Sequence, residues 1–251
     1  MNIAEKTLLL KQDFDEVYKA GKKSEYDKFW DAFQYNGTRN RYDLAFYRFG
    51  SGGFYPKYDI APTGGTLTQF MNYFGADSDT PIDVADRFAQ GGVKLDTSKV
   101  TSLKMAFYWT DGISRLPKID ATGVTASDGL YATFGSNSNL ETIDEFALPD
   151  DGNHPELSLT FASLGKLKNI VISGAIGKNV DFGYSLKLTR ASILSIINAL
   201  SDTTTGLTVT LSKAAVNKAF EDGEGAGNGS NSQEWTIDVV PSKPNWKIAL
   251  I

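Results

Sequence analysis

The sequence predicts an α/β fold built as a repeat array: a solenoid of about four coils of 27 residues, with an N-terminal helical region and a C-terminal α/β cap. Two observations carry this. In LKMAFYWTDGISRLPKI, the residues Leu103, Phe107, Ile113 and Leu116 return 27 positions later as Leu130, Phe134, Leu140 and Ile143. They return again as Leu157, Phe161, Leu167 and Ile170. One further step of 27 falls on Tyr184, Leu188, Leu194 and Ile197, all apolar or aromatic. The second observation is that the segments on either side of the array differ in character from it, as terminal units must when they close an open core. A unit this short cannot bury its own apolar face, so each Leu, Phe and Ile is expected to be covered by its counterpart next door.

The elements follow in chain order. Ile3, Leu10, Phe14 and Val17 form the apolar stripe of an amphipathic helix over about residues 3–20. Gly21 is its stop, and Ser24 with Asp27 resembles a capping box for a second helix bearing Tyr26, Phe29, Trp30 and Phe33. Residues 1–35 therefore read as N-terminal helices for attachment or oligomerisation. Residues 36–94 read as an aromatic-rich connector with short helices at 66–74 and 81–90, Pro81 suiting the first turn of the latter. The array occupies 95–200. Within it, stretches such as GLYATF and LSLTFASL are expected to make one or two helical turns, followed by strands such as LKNIVISG. At its end LTRASILSIINAL reads as a helix. The cap, 201–251, contains the strand GLTVTL, the helix SKAAVNKAF begun by Ser212, and the segments EWTIDVV and WKIALI, with a Gly-rich loop at 221–233.

A strand plus a short helix per unit of this length is the leucine-rich-repeat arrangement. TFASLGKLKNIVISG, the best single copy, resembles the BspA-type bacterial leucine-rich-repeat proteins, over residues 95 to about 200. No recurring Asn follows the strand, so the ligand rules of the better-known Asn- or Cys-ladder branch do not transfer. YDKFWDAFQYNGTRNRYDLAFYRFGSGGFYPKYDIAP and SILSIINALSDTTTGLTVTLSKAAVNKAF look similar to the subgroup encoded by phages and prophages of gut bacteria. That resemblance implies a virion component of the tail, baseplate, fibre or head decoration.

Composition narrows the function classes. The 251 residues contain no Cys and one His, and carry a net charge of −5. Thiolate chemistry and Cys-based zinc sites are removed, and a general nucleic-acid binder is disfavoured. No run of 18 apolar residues is present, and the charged opening MNIAEKTLLLKQDFDEV reads as neither membrane span nor signal peptide. From Ile119 to Gly165 there are eight acidic residues and no Lys or Arg, which predicts an acidic surface there.

Candidate chemistry is sparse. His154, in DDGNHPEL, reads as a solvated loop residue. Asp144 with Glu145, and Asp150 with Asp151, are sequence neighbours that point to opposite faces of a strand, poor geometry for paired-acid catalysis. Asp77, Asp79 and Asp83, and Glu221, Asp222 and Glu224, are acidic groups that match no calcium-loop spacing. No catalytic residue, cofactor or metal is therefore expected. Large amphipathic side chains outside the apolar ladder, Tyr108, Trp109, Tyr131 and Tyr55, are the candidate partner contacts. The expected function is a non-enzymatic structural and binding component of a phage particle, made in the host cytoplasm. Its expected contacts are other virion proteins, a host-surface receptor and copies of itself, without nucleic acid or membrane insertion. The alternatives are a bacterial cell-surface adhesin and a glycan-binding accessory module.

Overall fold

The computed structural model describes residues 42–75, 80–220, 243 and 245–251. The predicted N-terminal helices, EWTIDVV and the 221–233 loop lie outside the described residues.

The 27-residue period builds parallel strands. β1 (Ile82–Asp83), β2 (Ile113–Leu116), β3 (Ile119–Asp120), β4 (Thr142–Ala147) and β5 (Asn169–Ser173) make a five-stranded sheet. In it β4 pairs with β2 and β3 on one side and with β5 on the other, always in parallel. Leu116, Ile143 and Ile170 are register partners, as are Arg115, Thr142 and Asn169. The alternation of the pleat turns the first set inward and leaves Arg115 and Asn169 exposed. A second parallel sheet joins β6 (Val180–Phe182), β7 (Leu207–Leu211) and β8 (Trp246–Leu250). The twelve apolar ladder residues are all buried, none more than 4% exposed.

The α/β leucine-rich-repeat solenoid is corrected by these elements. Among the described residues there are three α-helices, α1 (Val84–Gly91), α2 (Arg190–Asn198) and α3 (Lys213–Phe220), and none lies inside the units at 103–173. The segments expected to be helical turns are a different conformation. Non-glycine residues with φ between 51° and 60° recur four apart: Leu44 and Arg48, Gln69 and Tyr73, Met105 and Trp109, Ala132 and Ser136, Leu159 and Ser163. A right-handed helix admits none of these. The supposed helix at 66–74 is one such turn, with its left-handed residues at Gln69 and Tyr73.

The hydrogen bonds explain why this costly backbone persists. Leu103, Met105, Phe107 and Trp109 donate their N–H groups to Gly129, Tyr131, Thr133 and Gly135 of the next unit, at 2.7–3.0 Å. The residues between them, Ala106 and Tyr108, donate three positions back within their own unit. The pattern repeats at Leu44, Phe46 and Arg48, at Gln69, Met71 and Tyr73, and at Ala132, Phe134 and Ser136. Five turns are thus laced edge to edge, and two of them, 42–49 and 67–75, fall in the segment expected to be a connector. A left-handed residue costs about 1–2 kcal/mol; a net hydrogen bond contributes about 0.5–1.5 kcal/mol.

Inside the laced turns runs a column of phenylalanines. Centroid separations are 5.2 Å for Phe46–Phe70, 6.1 Å for Phe70–Phe107 and 5.9 Å for Phe107–Phe134. They are 5.8 Å for Phe134–Phe161 and 4.2 Å for Phe161–Phe182. Two buried polar groups beside the column are paired: Thr160 Oγ1 donates to the Leu130 carbonyl at 2.6 Å, and Asn137 Nδ2 to the Phe107 carbonyl at 2.7 Å.

The fourth 27-residue step does not continue the ladder. Leu188 and Ile197 are buried, but Tyr184 is 62% exposed, and α2 takes the place of a strand beside β5. Helix α2 substitutes for a strand through side chains. Ser192 Oγ accepts from the Ile170 N–H at 2.9 Å and Ser195 Oγ from the Ile172 N–H at 2.8 Å. Spacing of three puts both hydroxyls on one helix face, within reach of alternate N–H groups of β5. Thr189 caps α2, Asp83 caps α1 and Ser212 caps α3.

Two stability predictions follow from this packing. Phe134→Ala removes the ring at the middle of the column and should lower the unfolding free energy by about 3–5 kcal/mol in a urea titration. Ser192→Ala leaves the buried Ile170 N–H without its acceptor and should cost about 1–3 kcal/mol by the same measurement.

Candidate recognition surface

Because the turns are stacked in register, equivalent positions form columns on the outer surface. The second left-handed position of each turn presents, in order, Arg48, Tyr73, Trp109, Ser136 and Ser163. The Arg48 guanidinium lies 5.4 Å from the Tyr73 ring centroid and 5.5 Å from that of Tyr47. Tyr73 stacks on Trp109 at 5.3 Å with 24° between planes, and Tyr47 meets Tyr73 edge-on at 5.8 Å. Tyr108 meets Trp109 edge-on at 6.0 Å. The result is a row of four rings and a guanidinium on one face, with Trp109 45% exposed.

The backbone fixes this row. The second left-handed residue of each turn points its side chain outward, and inter-unit hydrogen bonds run beside the rings: Tyr73 N–H to Tyr108 O at 3.3 Å, Trp109 N–H to Gly135 O at 3.0 Å. Bulky residues with positive φ are outliers, and here their repetition gives them an architectural cause. Asn72 holds, in its unit, the place of Tyr47 and Tyr108 in the units on either side. Its side chain is buried, and neither end of its amide has a hydrogen-bond partner.

No family model, curated protein or solved structure matches the chain. Of the predicted contacts, the structure brings Tyr108 and Trp109 together. Tyr131 stands one unit further on, its ring 5.6 Å from the Lys104 ammonium. Tyr55 is elsewhere, with the Arg87 guanidinium of α1 4.0 Å from its centroid. Tyr47, Arg48 and Tyr73 belong to the row but were not singled out by the sequence. Their signal was the likeness of FYRFG, MNYFG and FYWTDG.

The strand-bearing side has a different chemistry. A groove of about 460 Å³ is lined by Arg115, Thr142, Asp144, Asn169, Val171 and Thr189 among others. Arg115 holds Asp144 through Nε–Oδ1 at 2.7 Å and Nη2–Oδ2 at 3.0 Å, and reaches Asp83 at 3.4 Å. The groove's cation is thus already paired.

The acidic surface expected at 119–165 is largely offset, because six of its eight carboxylates pair with cations, and Asp150 and Asp151 have no ion pair among the described residues. Lys104 pairs with Asp128 at 2.7 Å, Lys168 with Glu141 at 2.8 Å, Lys118 with Glu145 at 3.2 Å and Lys178 with Glu156 at 3.3 Å. The Ser173 hydroxyl, helped by Lys118, holds Glu145 below the usual carboxylate range. Lys168 does the same for Glu141, and Lys104 for Asp128. Ser98 lowers Asp96 through its hydroxyl and its N–H.

Of the other acidic candidates, Asp151 accepts from the Asn153 N–H at 2.9 Å, and Asp150 is exposed with no side-chain partner among the described residues. Asp83 caps α1, while Asp77, Asp79, Glu221, Asp222 and Glu224 lie outside. Among the described residues no three His, Cys, Asp or Glu side chains converge on a point that could hold a metal ion. His154 is half-buried rather than solvated; its ring lies where a Cβ on Gly177 would stand, and its Nδ1 has no hydrogen-bond partner. No helix among the described residues is long and apolar enough to cross a membrane.

The lowered carboxylates set a pH dependence. Their folded pKa values lie below the unfolded ones, so their contribution is present at neutral pH and is lost as pH falls through the carboxylate range. Unfolding free energy from urea titrations should hold level from pH 6 to 8 and decline below about pH 4.5. Glu145→Gln should flatten that decline.

Proposed function

We propose that the protein is a non-enzymatic binding and structural component of a bacteriophage particle, engaging its partner through the row Tyr47, Arg48, Tyr73, Tyr108 and Trp109. The observation that carries this reading is the Tyr73–Trp109 stack, half-buried at Tyr73 and exposed at Trp109, pinned by the laced backbone. Aromatic side chains with few torsions lose little entropy on binding, and Tyr, Trp and Arg are the residues that most often dominate interfaces. Further support comes from the resemblance of the aromatic segment 26–62 and of 192–220 to phage-encoded proteins. A virion role also suits a stack whose units are joined by parallel pairing and inter-unit ion pairs, since particles need surfaces that hold their shape. Virions assemble by repeated contacts, and self-association is part of the proposal.

The test is mass spectrometry of purified particles, together with binding of those particles by the Tyr73→Ala, Trp109→Ala double variant. The protein should be present in stoichiometric amount. The variant should associate at least about 30-fold more weakly, the loss expected for a central aromatic anchor of 2 kcal/mol or more, with an unchanged thermal melt. Recovery of the protein on uninfected cells and never in particles would overturn the proposal in favour of a surface adhesin.

A further inference from the structure

The outer column of the turn face changes composition abruptly. Arg48, Tyr73 and Trp109 stack in sequence; at the next two units the same position holds Ser136 and Ser163. The neighbouring position changes with it, from Tyr108 to Gly135 and Ala162. At Gly135 a Cβ would stand 2.7 Å from the Leu159 carbonyl and 3.4 Å from the Tyr108 ring, so no side chain fits beneath Tyr108. Among the described residues the indole of Trp109 has ring contacts with Tyr73 and Tyr108, and none from a later unit. The stack ends on an indole followed by a step two units long, about 10 Å at ordinary strand spacing.

The chemistry around that step is hydroxylic. The Ser136 and Ser163 hydroxyls have no hydrogen-bond partner among the described residues. Along the rim Asp111 accepts from Ser138 Oγ at 2.6 Å, and Lys166 donates to Asn139 Oδ1 at 2.6 Å.

We infer that this step is a saccharide subsite: a pyranose ring takes the place of the missing ring, its C–H face on Trp109 and its hydroxyls toward Ser136, Ser163 and Asp111. Sugar C–H groups carry partial positive charge and meet the negative face of the indole, and the ring hydroxyls face the two serine hydroxyls and the Asp111 carboxylate, whose Oδ1 already accepts from Ser138 and whose second oxygen can accept from a sugar. The inference rests on the recognition role proposed above and names the class of ligand at one end of the same row.

The full chain is titrated with methyl glucosides, galactosides and N-acetylglucosaminides and their tri- to pentasaccharides, read by saturation-transfer difference NMR. N-acetyl-tryptophanamide serves as the aromatic comparison. Saturation is expected on the C–H groups of one sugar face, with dissociation constants of order 1 mM for a single ring site. Trp109→Ala should weaken binding at least tenfold. Ser136→Trp should do the same by filling the step; the same backbone already carries Trp at φ 55° one unit earlier, so this variant is expected to fold. No saccharide signal, a signal unchanged in both variants, or binding of the aromatic probe alone each overturns the inference. Loss of particle association by the Tyr73, Trp109 variant in the absence of any saccharide signal would remove this subsite and leave the recognition role standing.

Discussion

Every second N–H in the stacked turns needs a carbonyl that belongs to another unit, and the rest of the structure depends on that requirement. The left-handed residues at four-residue intervals turn alternate amides outward along the stack, where a neighbouring turn receives them. A turn standing alone would carry both the strain and the unmet donors. Placed between two others it carries the strain and meets the donors, and the Phe46 to Phe182 column lies underneath where water is excluded. The parallel sheet on the strand side ends differently: Ser192 and Ser195 of α2 receive the N–H groups of Ile170 and Ile172 in β5 with two hydroxyls in place of backbone carbonyls.

The same constraint decides what the surface can present. In-register stacking converts single residues into columns, so a substitution at one left-handed position alters a row and not only a spot. Arg48, Tyr73 and Trp109 are neighbours because they share a turn position, although 25 and 36 residues separate them in the chain. Charges obey the same rule. Lys104 with Asp128 and Lys168 with Glu141 are pairs across units. Exposed ion pairs of this kind contribute about 0–1 kcal/mol each, so they shape the surface more than they stabilise it.

Much of this was legible from residue spacing. The 27-residue recurrence predicted the partners Leu116, Ile143 and Ile170, and the polar pattern predicted α2, β7 and α3 nearly to their ends. The helix within each unit was read wrongly because LYATF and TFASL have acceptable helical composition, and nothing in composition encodes a positive φ at Ala132 or Leu159. Two earlier turns were missed because their spacing departs from 27: α1 and its flanking segment lengthen the interval between Gln69 and Met105 to 36. Tyr73 and Arg48 were lost with them, so the recognition row was half visible. The acidic stretch misled for a related reason, since a run along the chain says nothing of the cation one unit away.

Turns that stabilise one another must open together, and amide hydrogen exchange reads that directly. Met105, Phe107, Trp109, Ala132, Phe134 and Ser136 donate between units, while Ala106, Tyr108 and Thr133 donate within them. If the lacing holds the fold, both sets exchange with the same free energy, equal to that of global unfolding. Rapid exchange of the inter-unit donors, with the intra-unit donors still protected, would contradict it.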